Sequence, residues 1–290
     1  MPDKVYHIVC FSGGHSSALV AIEVVRKYGK ENVILLNHDI PLSSEVEDIK
    51  RFKREIANYL QLPITYANIN GITNPEELPD QFDVCMEAGA LTNDAGHAIC
   101  TSRLKTEPFD DYLNLNFINV DTLFERRKDC IIYYGFDAHE PQRITRRSSL
   151  LGIRGYKTAY PLIWKNRTIF STSEIGIDAP LTYLQFIHAN CIGCLKAGLL
   201  HWYVVYCIRP DKYQKGILLE EKVNFTIHTI QRNKVKIPIS LKDLAPIFEQ
   251  MKMDGIPITE RQSMQKFARM IRKYQLEECN SGKPCECIVS

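Results

Sequence analysis

Three groups of residues in this chain have types and spacings suited to chemistry. The first is Ser12-Gly-Gly-His-Ser-Ser17, which joins an apolar run, Val5 to Cys10, to a helical pattern beginning near Ala18. Glycines such as Gly13 and Gly14 let the backbone approach an anion closely, and the free N–H groups of a helix N-terminus point at it. The hydroxyls of Ser12, Ser16 and Ser17 add donors, and His15 lies inside the loop. Strand, Gly/Ser loop and helix in that order read as a phosphate cradle, and so as a site for a nucleotide. The loop is not a Walker A loop, because the Gly-Lys-Ser/Thr ending is missing.

The second group is thiol. There are ten cysteines in 290 residues. Cys191 and Cys194 form a CxxC, and Cys279, Cys285 and Cys287 crowd the C-terminal end, while Cys10, Cys85, Cys100, Cys130 and Cys207 stand singly. In a chain without secretory features such numbers point to metal or redox chemistry. Thiolates are soft ligands that suit an iron–sulfur cluster or zinc, and the alternative is a plain reduced CxxC. The third group is basic: Arg143, Arg146, Arg147 and Arg154. It reads either as an anion-binding cluster or as a solvated helix face.

The elements that must position these groups follow from periodicity. Residues 4–10, 32–37, 64–69 and 129–136 read as strands, and residues 16–28, 45–60 and 140–151 as helices, with a further helix after Glu107-Pro108. Strands alternating with helices of this length imply parallel βαβ units. Residues 71–98, rich in Asn, Asp, Pro and Gly, read as a long irregular loop, and residues 160–164 as a short extended segment. From Pro180 the chain reads as mostly helical, over 181–188, 197–208, 212–223, 241–251 and 260–274. In open parallel sheets ligands bind at the carboxyl ends of the strands. The first loop, the pair His38-Asp39 and the segment from Gly135 to Glu140 all fall at such ends.

Composition sets the frame. Hydrophobic content of 45% is ample for a core, and a net charge of +2 argues against a generic nucleic-acid coat. No apolar run approaches spanning length and the first residues lack a signal-peptide pattern, so the expectation is a cytoplasmic protein with no membrane partner. His188, His201 and Trp202 flank the CxxC and read as packing residues.

Several of these motifs carry a resemblance. Ser12-Gly-Gly-His-Ser-Ser17 resembles the PP-loop of the ATP pyrophosphatase superfamily, Ser-Gly-Gly-x-Asp-Ser, with Ser16 in place of the Asp. Cys100-Thr-Ser-Arg-Leu-Lys-Thr-Glu-Pro-Phe109 resembles the segment of assimilatory adenylyl-sulfate reductases in which two adjacent cysteines precede Arg-Lys-x-x-Pro-Leu. Cys100 falls on the first of that pair and Thr101 replaces the second. Cys191-Ile-Gly-Cys194 follows at about the distance those reductases use. Gly135-Phe-Asp-Ala-His-Glu140 is similar to the family's Gly-x-Arg-x-x-Glu segment, with Asp137 in place of Arg and Arg143 one residue short of the family's final Arg. The tail Glu286-Cys287 matches the first two positions of a Glu-Cys-Gly pattern.

The resemblance, which spans roughly residues 5–200 apart from that tail, implies an α/β, doubly wound parallel sheet of the PP-loop type (adenine nucleotide alpha hydrolase-like), with a mostly helical C-terminal extension. It divides the chain into residues 1–200, the nucleotide-binding domain with the metal-binding cysteines, and residues 201–290, a helical region ending in the cysteine tail. It implies an adenine nucleotide (ATP, APS or PAPS) held by Ser12, Gly13, Gly14, His15, Ser16, Ser17, His38, Asp39, Gly135 and Arg143. It implies a 4Fe–4S cluster, with zinc as the alternative, on Cys100, Cys191 and Cys194. The fourth ligand is left open among Cys85, Cys207, a tail cysteine and none, the last leaving an iron free for sulfide.

Two enzymatic readings and one binding reading follow. In a PAPS reductase-like oxidoreductase, Cys287 is the nucleophile and a thiol reductant completes turnover. In a PP-loop ATP pyrophosphatase acting as a sulfurtransferase, a sulfur donor and an acceptor such as nucleic acid are the partners. The third reading is a non-catalytic nucleotide-binding protein with structural zinc. Self-association into a homo-oligomer is compatible with all three.

Overall fold

The computed structural model describes residues 4–117, 130–188, 191–232 and 234–276. Cys279, Cys285 and Cys287 therefore lie outside the described residues. Five short strands, β1 (Tyr6–Cys10), β2 (Val33–Asn37), β3 (Ile64–Tyr66), β4 (Cys130–Tyr133) and β5 (Lys157–Ala159), form one sheet in the order β3-β2-β1-β4-β5. Every pairing in it is parallel. The order turns back between β1 and β4, which opens a crevice beyond their carboxyl ends.

Helices cover both faces. In β1 the alternation of side chains sends Val9 to one face and Ile8 and Cys10 to the other, and all are buried. The Val9 face packs with Val33, Leu35 and Tyr133 against α1 (His15–Tyr28) and α2 (Glu47–Leu60). The opposite face packs with Leu36 and Ile132 against α5 (Glu107–Phe117) and α6 (Pro141–Ile153). Strands buried on both faces need continuous apolar runs, which Ile8-Val9-Cys10 and Val33-Ile-Leu-Leu36 supply. The expected α/β class is present, with a five-stranded parallel sheet in a three-layer arrangement. Among the described residues no helix is long and apolar enough to cross a membrane.

A third core lies beside the sheet. It gathers α3 (Gln81–Ala88), α7 (Leu199–Ile208), α8 (Pro210–Val223), α9 (Leu241–Met253) and α10 (Glu260–Lys273) around Phe82, Trp202, Leu219, Phe248 and Phe267. A turn, α4 (Ile99–Thr101), brings Cys100 into it and continues through a π-helical turn, Ser102–Thr106, into α5. An antiparallel hairpin, β6 (His228–Arg232) with β7 (Val235–Ile239), adds Ile230.

Five local expectations are corrected. Residues 71–98 contain α3, because Asp80 caps its first turn by accepting from the amides of Phe82 and Asp83 while Asp83 returns the bond to the Asp80 amide. The strand expected over 64–69 stops at Tyr66, and Ile69–Gly71 forms a 3-10 turn. The helix expected over 181–188 is only the 3-10 turn Leu181–Leu184, because the Gln185 carbonyl accepts from the Glu260 amide and Leu181 donates to Asp48. The extended segment sits earlier, as β5, and Pro161 begins a 3-10 turn over Pro161–Ile163. The hairpin also interrupts the helical C-terminal part, where Thr229-Ile230 and Val235-Lys-Ile237 supply the β-branched residues that suit a half-buried ladder.

Candidate functional site

The chain leaves β1 at Cys10 and reaches α1 in four residues. Phe11 still donates to the Leu36 carbonyl, so the turn begins beyond it. Gly13 has φ of +82°, and a Cβ there would sit 2.7 Å from Lys53 Cγ. Gly14 then starts the helix without any side-chain cap. The first-turn amides of α1 are accordingly left to outside acceptors. The Ser16 and Ser17 amides meet no protein acceptor among the described residues, and the His15 amide donates to the Tyr183 hydroxyl at 3.0 Å. Ser12 Oγ lies 3.2 Å from Ser17 Oγ, and the Ser17 hydroxyl donates to the Gly14 carbonyl.

The loop after β4 closes onto the same turn. A Cβ at Gly135 would lie 3.2 Å from the Ser16 carbonyl carbon and 3.3 Å from the Ser17 nitrogen. This contact across the β1/β4 crevice brings together six predicted residues, Ser12 to Ser17, and Gly135. The other predicted nucleotide residues are engaged internally. His38 is buried, contacts the Ala67 carbonyl through Nδ1 at 2.5 Å and meets Phe109 edge-on. Burial, reinforced by the charge of Lys105, pushes His38 down to about 4, so the ring is neutral at neutral pH. The Asp39 carboxylate accepts from Lys50 at 2.9 Å, and the Asp39 amide donates to Asn68 Oδ1 at 2.8 Å. Arg143 pairs with Glu140 and lies 4.3 Å over the Phe136 ring. In the basic cluster Arg147 stacks over Tyr134 and Arg154 pairs with Asp110 at 2.6 Å. Arg143, Arg147 and Arg154 are thus each engaged within the protein.

Beneath the loop lies a charged cluster that has no local motif. Lys53 is 1% exposed at its side chain, yet it bonds Glu45 at 2.8 Å and lies 3.5 Å from Asp39. Burial opposes its charge, but the carboxylates of Glu45 and Asp39 outweigh burial and raise its pKa. The loop's glycine thus rests on the stem of a fixed ammonium group.

The cysteines occupy a second region. Cys85 on α3 and Cys100 hydrogen-bond to each other, and this contact lowers the Cys85 pKa against the opposing effect of burial. The CxxC is held against the same helix. Gln81 donates to the carbonyls of Ile192 at 2.8 Å and Gly193 at 3.2 Å, and Gly193 has φ of +73° with Phe82 filling the space where a Cβ would go. From the other side His201 Nε2 accepts from the amides of Gly193 and Cys194, at 3.2 and 3.4 Å. Its Nδ1 lies 2.9 Å from Glu260, so the proton sits there and is donated to the carboxylate. His201 is therefore more than a packing residue: it fixes the CxxC turn. Cys207 faces elsewhere, hydrogen-bonded to Tyr203, and burial raises its thiol. Among the described residues no three His, Cys, Asp or Glu side chains are gathered as a metal-binding group. Cys85 lies on α3 and the CxxC is tied to the same helix through Gln81, so both thiol-bearing segments border α3.

Tyr183, Gln81 and Glu260 carry no local sequence signal, since each acts across a long stretch of chain, and Lys53 lies in an ordinary helical pattern. Besides the CxxC, the Asp80-x-x-Asp83 box is a local signal that leads to this region. No family model, curated protein or solved structure matches the chain.

Proposed function

We propose that this chain binds an adenine nucleotide in the β1/β4 crevice and uses it for sulfur chemistry of the PAPS/APS reductase-like kind. The observation that carries the reading is the contact of Gly135 with Ser16 and Ser17, beside first-turn amides without a protein acceptor. A helix start with open amides, a Gly turn and hydroxyls is suited to a phosphate or sulfate group. In the reductase chemistry the Cys287 thiolate attacks the sulfur of adenylyl sulfate. A sulfur–sulfur bond forms, the bond from sulfur to the bridging oxygen breaks, and AMP leaves with that electron pair. An external dithiol then reduces the thiosulfonate, releasing sulfite and becoming a disulfide. Cys287→Ala should abolish sulfite release while nucleotide affinity stays unchanged, and full turnover in that variant would remove this mechanism.

The second reading is ATP-dependent sulfur transfer to an acceptor such as nucleic acid. Thr101 in place of a second adjacent cysteine and Asp137 in place of an arginine favour it. Salt-sensitive binding of RNA or DNA would support it.

A metal centre belongs to both readings. A centre on Cys100, Cys191 and Cys194, with Cys85 supplying the thiol that Thr101 does not, would require these side chains to draw together, since among the described residues no three of them are gathered. When bound, a cluster supplies an electropositive centre that tunes an anionic substrate. The chain's own contribution is to fix the thiols, through Gln81 on one side of the CxxC and His201 on the other.

Isothermal titration with ATP and adenylyl sulfate tests the nucleotide site, and absence of binding to both would end the reading. Iron, sulfide and zinc analysis after anaerobic purification tests the centre. Metal content is expected to fall in Cys85→Ser and Cys100→Ser and to persist in Cys207→Ser. Full retention in Cys85→Ser would exclude that ligand. His201→Ala should weaken retention of the metal about ten- to hundredfold, as loss of an outer-shell partner does.

A further inference from the structure

The anion position of the first loop is not empty of protein. The residue at it is Tyr183, whose hydroxyl accepts from the His15 amide although the two lie far apart in sequence. It reaches there on a strap tied down at both ends. At one end Leu181 donates to Asp48 in the first turn of α2. At the other, Gln185 accepts from the Glu260 amide at 2.8 Å and Ile187 donates to the Glu260 carboxylate at 2.6 Å. A second segment touches the loop too, since the Thr172 amide lies 3.2 Å from His15 Nε2. Both segments carry a buried hydroxyl with no hydrogen-bond partner among the described residues, Thr172 Oγ1 and Thr182 Oγ1. Leu181 and Leu184, on either side of Tyr183, are exposed. Little apolar packing therefore holds that part of the strap down.

We infer that the Tyr183 hydroxyl is a placeholder for an oxyanion oxygen, and that an anionic ligand binds the first loop by displacing it from the His15 amide. The inference rests on the nucleotide-site reading given above and names the residue against which the ligand competes. A hydrogen bond from an amide to a neutral phenol is weaker than one to a charged oxygen, so a phosphate or sulfate group wins the exchange where a neutral ligand would not. Tyr183 then acts as a specificity filter for tetrahedral oxyanions. It also joins the loop to the cysteines, because Glu260, which holds the far end of the strap, orients His201 on the CxxC.

The test measures dissociation constants of wild type, Tyr183→Phe and Tyr183→Ala by isothermal titration. The ligands are ATP, adenylyl sulfate, inorganic pyrophosphate and sulfate. Tyr183→Phe removes the competing oxygen and keeps the ring, so Kd for the anions should fall by about two- to tenfold, the worth of one net hydrogen bond. Tyr183→Ala should bind at least as tightly, and hydrogen exchange over β1 and α1 checks that both variants keep the fold. Pyrophosphate and sulfate separate the two sources of the oxyanion. Binding that is unchanged or weaker in Tyr183→Phe overturns the placeholder while leaving the nucleotide site standing. Failure of wild type and both variants to bind any of the four ligands overturns the two together.

Discussion

Replacing Asp80 by Ala is expected to lower the stability of this protein by about 4 kcal/mol, because it leaves the buried Lys212 ammonium group without its counter-charge. Asp80 is fully buried and accepts from Lys212 and Lys215, each at 2.9 Å. Lys212 is itself buried, so removing the carboxylate strands its charge. The same carboxylate caps α3, and losing a cap costs about 1 kcal/mol more. A shift in the urea midpoint measures the sum. The double variant Asp80→Ala with Lys212→Met should recover part of the loss, since the stranded charge is removed while the cap stays lost. Recovery of none would mean that the cap, not the ion pair, dominates.

Asp80 also sets an acid dependence. Burial would raise its pKa, but the ammonium groups of Lys215 and Lys212 outweigh burial and hold the carboxyl far below its ordinary value of 3.8. A depressed folded value means that the ion pair stabilises the fold above the unfolded pKa. That contribution is lost as the pH falls below 3.8 toward the folded value. The Asp80→Asn variant should lack this part of the acid limb. An identical acid limb in variant and wild type would assign the dependence to other carboxylates.

Replacing Gly13 by Ala is expected to have the largest effect on nucleotide binding. The position has φ of +82°, which costs an L-residue about 1–2 kcal/mol. The added Cβ would lie 2.7 and 2.8 Å from Lys53 Cγ and Cδ and 3.1 Å from Ile49 Cγ2. A flexible lysine would swing aside, but this one is fixed at its tip by Glu45 and Asp39. The clash is therefore relieved by moving the loop or by breaking a buried ion pair. Either moves the first-turn amides of α1 away from their common focus. Affinity for ATP or adenylyl sulfate should fall by at least about tenfold, given the steep dependence of such sites on placement. Unchanged affinity together with an unchanged melting temperature would remove both the strain and the site. Lys53→Met in the Gly13→Ala background separates the causes, because a neutral, untethered side chain yields to the new methyl.

Much of the sheet was legible from the chain alone. Ile8-Val9-Cys10, Val33-Ile-Leu-Leu36 and Cys130-Ile-Ile-Tyr133 are apolar runs bounded by turn residues, and each is a strand. Residues 47–60 carry an acidic first turn and one apolar stripe, and they form α2. The loop after β1 and Gly135 were visible because glycine at a strand end is a backbone requirement that one residue type meets. Such features depend on neighbours within a few positions, and so sequence order by itself determines them.

The rest depended on contacts between distant segments. The short α3 sits in a stretch whose Asn, Asp, Pro and Gly content masks it, and only its capping box marks it locally. His38 and Asp39 stand at a strand end, where the Ala67 carbonyl meets His38 Nδ1 and Lys50 pairs with Asp39, contacts that sequence order does not reveal. Tyr183 meets His15, Lys212 meets Asp80 and Glu260 meets His201 only once the three cores have formed. The sequence by itself determined which segments are strands and helices and where the backbone must turn tightly, because period and glycine act locally. The tertiary structure decided which polar groups face the crevice and which are spent in holding it, because a buried charge or donor takes whatever partner the packing brings within reach.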